Sequence, residues 1–139
     1  MDRMREALTA LDAAVSAVAD CSPVFWSTAD KAHAVGALVV AESRLVALRL
    51  RVMACAGDLA EREGDRDVAA WLARTQRVRR ADAAADLRLA QALDRDRVHL
   101  ADSLSEARVN VAQARVIVAV LDDLPARVGQ GWWRRPSWR

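Results

Sequence analysis

Apolar residues recur three and four positions apart along most of the chain, which is the period of an amphipathic α-helix. The first stripe comprises Met4, Ala7, Leu8, Leu11, Ala14, Val15 and Val18. We expect this helix to end near Asp20, before Ser22 and Pro23, and a very long second helix to run from about Thr28 to Glu63. The pattern predicts an all-α fold, with the N-terminal helix packed on the long one and a cluster of shorter helices following.

The long helix carries a heptad seam. Leu38, Leu45, Val52 and Leu59 repeat every seven residues, with Ala41, Leu48 and Cys55 as the offset set. Such a seam packs against a partner helix at a shallow angle. The first helix is the natural partner, but it is shorter, so a second subunit could cover the remainder and make a homodimer. Phe25 and Trp26 are expected to plug one end of the core.

Gly64 is expected to end the long helix, as glycine does where the backbone turns left-handed. Asp67 can cap a short helix that holds Val68, Trp71 and Leu72. A turn over residues 75–78 then leads into a longer helix, which is expected to end at about Leu93. Its predicted inner stripe is Ala85, Leu89, Ala92 and Leu93. The two helices resemble a helix-turn-helix pair.

Two more helices are predicted after the acidic interruption at residues 94–96. The first is short, and its apolar positions are Val98, Ala101 and Leu104. Asn110 and Gln113 have the spacing of a capping box and begin the last helix, which Leu124-Pro125 stops. The pattern thus predicts one helical domain over residues 1–125.

The helix that begins near Arg79 separates its arginines from its aspartates. At about 100° per residue, one side holds Arg80, Ala84, Arg88, Gln91 and Arg95. Asp82 and Asp86 lie across the helix. This arrangement could approach a phosphate backbone or a groove of DNA, and the candidate nucleic-acid-binding residues are Arg77, Arg79, Arg80, Arg88, Gln91 and Arg95. Alternatively, these arginines pair with acids of neighbouring helices, including Asp94 and Asp96.

The formal net charge of +2 is too small to indicate nucleic-acid binding without such clustering. Cys21 and Cys55 form no metal motif and are expected to be buried, reduced thiols. The N-terminus does not resemble a secretory signal, and no apolar run is long enough to span a bilayer. These features predict a cytoplasmic protein with no membrane partner.

No catalytic constellation is evident. His33 and His99 lie on separate helical segments, and the sequence contains neither close metal-ligand spacing nor a glycine-rich phosphate loop. We therefore expect a protein that is not an enzyme, with no metal, no cofactor and no small-molecule substrate.

From Ala126 onward the composition changes. Residues 126–139 hold three of the five tryptophans, interleaved with arginines, and no helical period survives, which predicts a mobile tail. Such a segment could stack on bases and bind phosphates, or settle at a membrane interface. It is also what a frameshift or premature stop would leave behind. The last interpretation is favoured here, because the resemblance described next ends at this point.

Several ordered motifs between Gly64 and Pro125 resemble the thirteen-E-twelve repeat family, also called the DUF222 family, of high-GC Gram-positive bacteria. The motifs are Ala70-Trp71-Leu72-Ala73, Leu87-Arg88-Leu89-Ala90 with Leu93, Val111-Ala112-Gln113-Ala114-Arg115-Val116-Ile117, and Leu121-Asp122-Asp123-Leu124-Pro125. The preceding segment 41–64 also resembles that family's lead-in. The resemblance covers roughly two-thirds of the chain.

The resemblance implies a helical domain of the kind found upstream of HNH endonuclease modules, here without the nuclease. Two positions depart from the family pattern: Arg79 stands where a serine cap is usual, and Ala107 where glycine is usual. Activity therefore does not carry over. The expected function is a non-catalytic accessory domain with DNA binding through the arginine-rich helix. The alternatives are a helical dimerisation or protein-interaction module, or a truncated remnant without independent activity.

Overall fold

The computed structural model describes residues 1–124, apart from the side chain of Asp96. These residues form seven α-helices and one 3₁₀ turn and contain no β-strand, which confirms the predicted all-α class. The helices are α1 (Asp2–Ala17), α2 (Thr28–Ala54), α3 (Gly57–Glu63), α4 (Val68–Gln76), α5 (Arg80–Asp96), α6 (Val98–Ser105) and α7 (Val111–Asp123). The tryptophan- and arginine-rich tail predicted over residues 126–139 lies outside the described residues.

Internal contacts divide the chain into an N-terminal unit, Met1–Leu38, and a C-terminal unit, Val39–Arg139. The prediction of one domain over residues 1–125 therefore stays a prediction. None of the helices among residues 1–124 is long and apolar enough to cross a membrane.

The N-terminal unit contains α1, a 3₁₀ turn at Pro23–Phe25 and the first part of α2. None of residues 1–38 is buried. The predicted apolar stripe of α1 is present, but Leu8, Leu11 and Val15 are exposed, as are Val35 and Leu38. Phe25 is 89% exposed, so the expectation that it plugs a core is wrong, and Trp26 is also exposed.

The C-terminal unit has a compact core. Its neighbouring helices pack as α3 on α4, α4 on α5, α5 on α6 and α7, and α6 on α7. The core consists of small and branched apolar side chains from α2 to α7: Ala47, Leu50, Met53, Ala60, Val68, Leu89, Ala90, Leu93, Leu104 and Ala114. Leu50 and Leu104 are the largest fully buried side chains. Alanine occupies four of these positions, which lets helices approach closely but fills little volume.

The predicted very long helix is interrupted. The structure ends α2 at Ala54 and begins α3 at Gly57, so the expected continuity to Glu63 is wrong. At the break, the Cys55 amide donates to the Val52 carbonyl at 3.1 Å and the Ala56 amide to the Met53 carbonyl at 3.4 Å. These i to i−3 bonds tighten the last turn of α2. No proline marks the break, and the glycine that follows it is the one local sign.

The face of α2 that the structure buries is not the predicted seam. Ser43, Ala47, Leu50 and Met53 are the buried residues of this helix. The seam residues Leu38, Leu45 and Val52 are 67%, 41% and 53% exposed. From Val39 onward α2 therefore has apolar side chains on two opposite faces, of which only one lies against the core. The heptad spacing identified an apolar face correctly, but that face is not the one that lies in the core of the C-terminal unit.

The end signals predicted at Gly64 and Asn110 are confirmed, although Gly64 ends the short helix α3 and not a helix that begins at Thr28. Gly64 adopts the left-handed conformation with φ 74°, and the next amide, of Asp65, donates to the Ala60 carbonyl at 2.9 Å. Asn110 and Gln113 form the capping box, with both bonds at 2.9 Å. The α5 helix continues to Asp96 rather than ending at Leu93, because the acidic residues 94–96 still have helical backbone.

Candidate nucleic-acid interface

Polar contacts fix α4 to the loop that precedes it. The Asp67 side chain accepts a hydrogen bond from the Ala70 amide at 2.8 Å, which confirms the predicted cap. This bond holds the pKa of Asp67 below its usual value. Arg74 makes two bonds to the Asp65 carboxylate, at 3.1 and 2.7 Å. The same guanidinium lowers the pKa of Asp65. The last turn of α4 is thus tied to the loop that precedes it.

The turn between α4 and α5 has a strained residue. Arg77 has φ 56° and ψ 25°, a left-handed conformation that glycine adopts with less strain. Before it, the Thr75 hydroxyl donates to the Trp71 carbonyl at 2.9 Å and closes the end of α4. Arg79 precedes α5 and makes no side-chain cap, as its lack of an acceptor atom predicts. Both arginines are exposed.

The polar face of α5 forms one exposed ridge. We define the ridge as Arg80, Arg88, Gln91 and Arg95, all of which are exposed. At about 100° per residue these side chains fall within an arc of about 80°. The buried residues of α5 occupy the opposite side: Ala83, Asp86, Leu89, Ala90 and Leu93. Arg80 and Arg95 are 15 positions apart, so the ridge is roughly 22 Å long.

The ridge arginines form no ion pair with the carboxylates whose side chains the structure describes. The same holds for Arg77 and Arg79. The alternative interpretation required such pairs, with Asp94 as one partner. Asp94 is exposed and takes part in no ion pair of this described set, whereas the side chain of Asp96 lies outside it. The guanidinium groups are therefore available to an external anion.

Asp86 has a role that its position opposite the ridge did not reveal. Its side chain is buried, with 5% of the residue exposed, on the packed side of α5. Arg49 of α2 approaches one carboxylate oxygen at 2.8 Å, and Arg115 of α7 bonds the other. We call these residues the Asp86 triad. Because the partners come from two other helices, the triad links three elements of the core that supports the ridge. Helical periodicity gave no sign of these partners.

A shallow groove lies beside the C-terminal end of the ridge. Its volume is about 210 Å³, and its lining residues are Arg88, Gln91, Ala92, Arg95, Arg97 and Asp122. Arg97, between α5 and α6, bonds the Asp122 carboxylate of α7 at 3.1 Å. Arg97 is mostly covered, with 26% of its side chain exposed. The groove thus combines two ridge arginines with a third guanidinium fixed in position.

The described residues contain no group of three or more histidine, cysteine or acidic side chains placed to hold a metal ion. Cys21 and Cys55 are free thiols, as predicted, but both are exposed, so their expected burial is wrong. Cys21 lies in the unit without a core and Cys55 at the break after α2.

Comparisons with models of protein families, with curated proteins and with solved structures find no match to this chain. The resemblance to the thirteen-E-twelve family thus stays a prediction from the motifs. At one of the two positions that depart from the family pattern, the backbone is left-handed. Ala107, at the position where the resemblance would place glycine, has φ 57°. Glycine relieves the strain of that conformation.

Proposed function

We propose that this chain is a non-catalytic helical accessory domain, related to HNH-endonuclease-associated proteins, that binds DNA in the cytoplasm through the ridge of α5 and the turn before it. The observation that carries the proposal is the set of five exposed arginines between positions 77 and 95, without ion pairs to the described carboxylates. Arginines held in this way can bind phosphates.

The surroundings of the ridge favour an external partner. Charged side chains on a helix often serve only to solvate it, and they then tend to alternate in sign with acidic neighbours. Here the acidic residues of α5 lie outside the arc of the ridge, and Asp86 is buried and already paired. A helical strip of about 22 Å with three exposed arginines is suited to the backbone of a duplex.

The strain at Arg77 supports the same function. A left-handed residue other than glycine costs about 1–2 kcal/mol. Arg77 makes no side-chain hydrogen bond or ion pair within the described structure that would offset this cost. Strain that stays uncompensated in the folded chain is characteristic of functional positions. A guanidinium kept at the turn despite this cost is consistent with a contact to an external phosphate.

Fluorescence anisotropy with a short random-sequence duplex tests the proposal. Five phosphate contacts would give a slope of about −4.5 in log affinity against log salt, so affinity should fall several-hundred-fold between 50 and 200 mM salt. Arg80→Ala with Arg88→Ala should reduce the slope to about −2.7. The matched control is Arg44→Ala with Arg51→Ala, which removes the same charge from exposed positions of α2. Absence of binding at low salt, or equal losses in both double variants, would contradict the proposal.

Arg77→Gly separates this function from folding. Glycine relieves the left-handed strain, so the melting temperature should rise, while the loss of one guanidinium should weaken DNA binding and reduce the salt slope by about 0.9. If Arg77 served only the fold, its replacement would not weaken DNA binding. Thermal unfolding by circular dichroism and the anisotropy titration together give both readouts.

A second candidate function is a helical dimerisation module. It is favoured by the exposure of the seam residues Leu38, Leu45 and Val52, because exposed apolar side chains at heptad spacing are typical of a helix that pairs with another chain. Sedimentation velocity over a wide concentration range tests it. A dimer that Leu45→Asp with Val52→Asp converts to a folded monomer would support the module. A monomer at the highest concentration would exclude it.

A further inference from the structure

The groove at the end of the ridge has an arrangement that the ridge alone does not explain. The ridge is convex and exposes its arginines to solvent, whereas the groove is a hollow of about 210 Å³ that three arginines line. Two of them, Arg88 and Arg95, belong to α5. The third, Arg97, is held by the Asp122 carboxylate at 3.1 Å. A fixed guanidinium loses less rotamer entropy when it binds a ligand.

The charges in the groove favour an anion. Among the described side chains that line the groove are three arginines and one aspartate, and the C-terminal end of α5 contributes about half a negative charge. The net charge of these described groups is therefore about +1.5, enough to attract a group that carries one or two negative charges. Gln91 adds an uncharged amide whose N–H groups can donate. This combination is typical of sites for tetrahedral oxyanions.

The shape of the groove indicates which part of a nucleic acid fits. A side chain that reads a base edge must project into a groove of the duplex. Gln91 instead lines a hollow, between Arg88 and Arg95. A hollow receives a projecting group, and the group that projects from a duplex is the phosphate. Gln91 is thus suited to positioning the backbone rather than to reading sequence.

We propose that this groove is a binding site for a single phosphoryl group, bound by Arg88, Arg95 and Arg97 and by the amide of Gln91. The site deepens the proposed function and rests on it for the source of the phosphate, namely a DNA backbone. A small phosphorylated molecule offers the same chemistry, and the experiment distinguishes the two sources. Asp122 positions Arg97 and at the same time opposes the bound anion.

The opposing effects of Asp122 provide a sharp test. Asp122→Asn removes a negative charge about 6 Å from the anion, so affinity for phosphate should rise about threefold. A merely structural role for Asp122 would predict no gain. The substitution is expected to be tolerated, because 61% of the Asp122 side chain is exposed and a carboxylate near the C-terminus of α7 is unfavourable.

Gln91→Glu should weaken phosphate binding, whereas Asp122→Asn should strengthen it. The side chain keeps its size but loses its donor and gains a negative charge, so phosphate should bind at least about tenfold more weakly. The control is Arg51→Ala, which lowers the net charge by the same amount on α2. Equal circular dichroism and melting temperature would verify that all variants fold.

The measurement is titration with inorganic phosphate at constant ionic strength against chloride, followed through the ¹⁵N resonances of residues 88–97 and the Gln91 amide. The same variants are titrated with a short duplex. We expect saturable phosphate binding that Asp122→Asn strengthens, Gln91→Glu weakens and Arg51→Ala leaves unchanged, with the same order for DNA.

Two other outcomes separate this inference from the proposed function. If phosphate binds with this order of variants but DNA does not bind at low salt, the phosphate site is supported and the proposed function fails. The ligand of the site is then a small phosphorylated molecule. If DNA binds but Gln91→Glu and Asp122→Asn behave as Arg51→Ala does, the site is overturned and the proposed function stands. Absence of any specific shift with phosphate also overturns the site.

Discussion

The two units of this chain have similar helical patterns but differ in what those patterns bury. The C-terminal unit encloses Leu50 and Leu104 almost completely, whereas none of the residues from Met1 to Leu38 is buried. Both contain amphipathic helices with leucines at helical spacing. The comparison shows that periodicity identifies the apolar face of a helix but not the surface that covers it. Coverage depends on which other helices the chain can bring into contact.

The largest expected difference between the units comes from truncating a leucine in each. Leu104→Ala should lower the free energy of unfolding by about 3–4 kcal/mol, because it leaves a cavity in a closed core. Leu8→Ala, at an exposed position of α1, should change it by less than about 0.5 kcal/mol. Urea unfolding followed by circular dichroism measures both. A large, concentration-dependent loss in Leu8→Ala would show that another chain covers α1.

The Asp86 triad is a feature of the C-terminal unit alone. Asp86→Ala leaves Arg49 and Arg115 facing each other without their shared carboxylate, and it should lower the free energy of unfolding by about 3 kcal/mol. The control is Asp94→Ala, at an exposed position on the same helix. Equal urea midpoints for the two variants would mean that the triad does not stabilise the core.

Helix caps allow the same chemistry to be compared in both units. Asp67→Ala should lower the free energy of unfolding by about 1 kcal/mol, because the Ala70 amide loses its acceptor at the start of a packed helix. Ser27 accepts from the Asp30 amide at 3.1 Å at the start of α2, in the unit without a core. Ser27→Ala should therefore reduce helicity locally without moving the main unfolding transition. Equal shifts of that transition would show that the two units unfold together.

At a left-handed residue other than glycine, a substitution should raise the free energy of unfolding, by less than the losses expected above. Ala107→Gly should raise the free energy of unfolding by roughly 0.5–1 kcal/mol, since relief of the strained φ outweighs the added chain entropy of glycine. Gly64→Ala is the matched control, because it introduces a Cβ at φ 74° and should destabilise by about 1 kcal/mol. A loss of stability in Ala107→Gly would contradict this explanation of the position.

The smallest expected effect is the acid sensitivity of the C-terminal unit. The pKa values of Asp65 and Asp67 are lower in the folded chain than in the unfolded one, so the charged carboxylates stabilise the fold above pH about 4. This contribution is lost as the pH falls through the lowered values. Urea midpoints at pH 7, 4.5 and 3 should therefore decline less in Asp65→Asn than in the unchanged protein. An equal decline in both would contradict the role of the Arg74 pair.

The features that sequence predicted well are local ones. Gly64, Asp67 and Asn110 act on backbone groups within a few residues, so their positions alone specify the helix ends. The exposed side of α5 was predictable for a similar reason. A helix with buried apolar residues on one side must present its remaining residues to solvent, and Arg80, Arg88 and Arg95 share one arc.

The features that sequence missed depend on distant parts of the chain. Asp86 finds Arg115 from 29 residues away, and no spacing rule connects them. The choice between the two apolar faces of α2 has the same origin. Leu50 belongs to the core cluster with residues of α3 to α7, whereas Leu45 is 41% exposed. The groove could not be predicted from the sequence either, because it depends on the tertiary contact between Arg97 and Asp122.

Lys31 is the only lysine of the chain, and it lies in the unit that buries no residue, where its ammonium group donates to the Val24 carbonyl at 3.4 Å. A lysine-specific protease therefore has one cleavage site, at a position where local opening disrupts no core. Brief digestion should release the first 31 residues and leave the arginine-rich helices intact. Amine-reactive dyes would likewise label one side chain and the N-terminus, so a probe could be attached far in sequence from the proposed DNA-binding arginines.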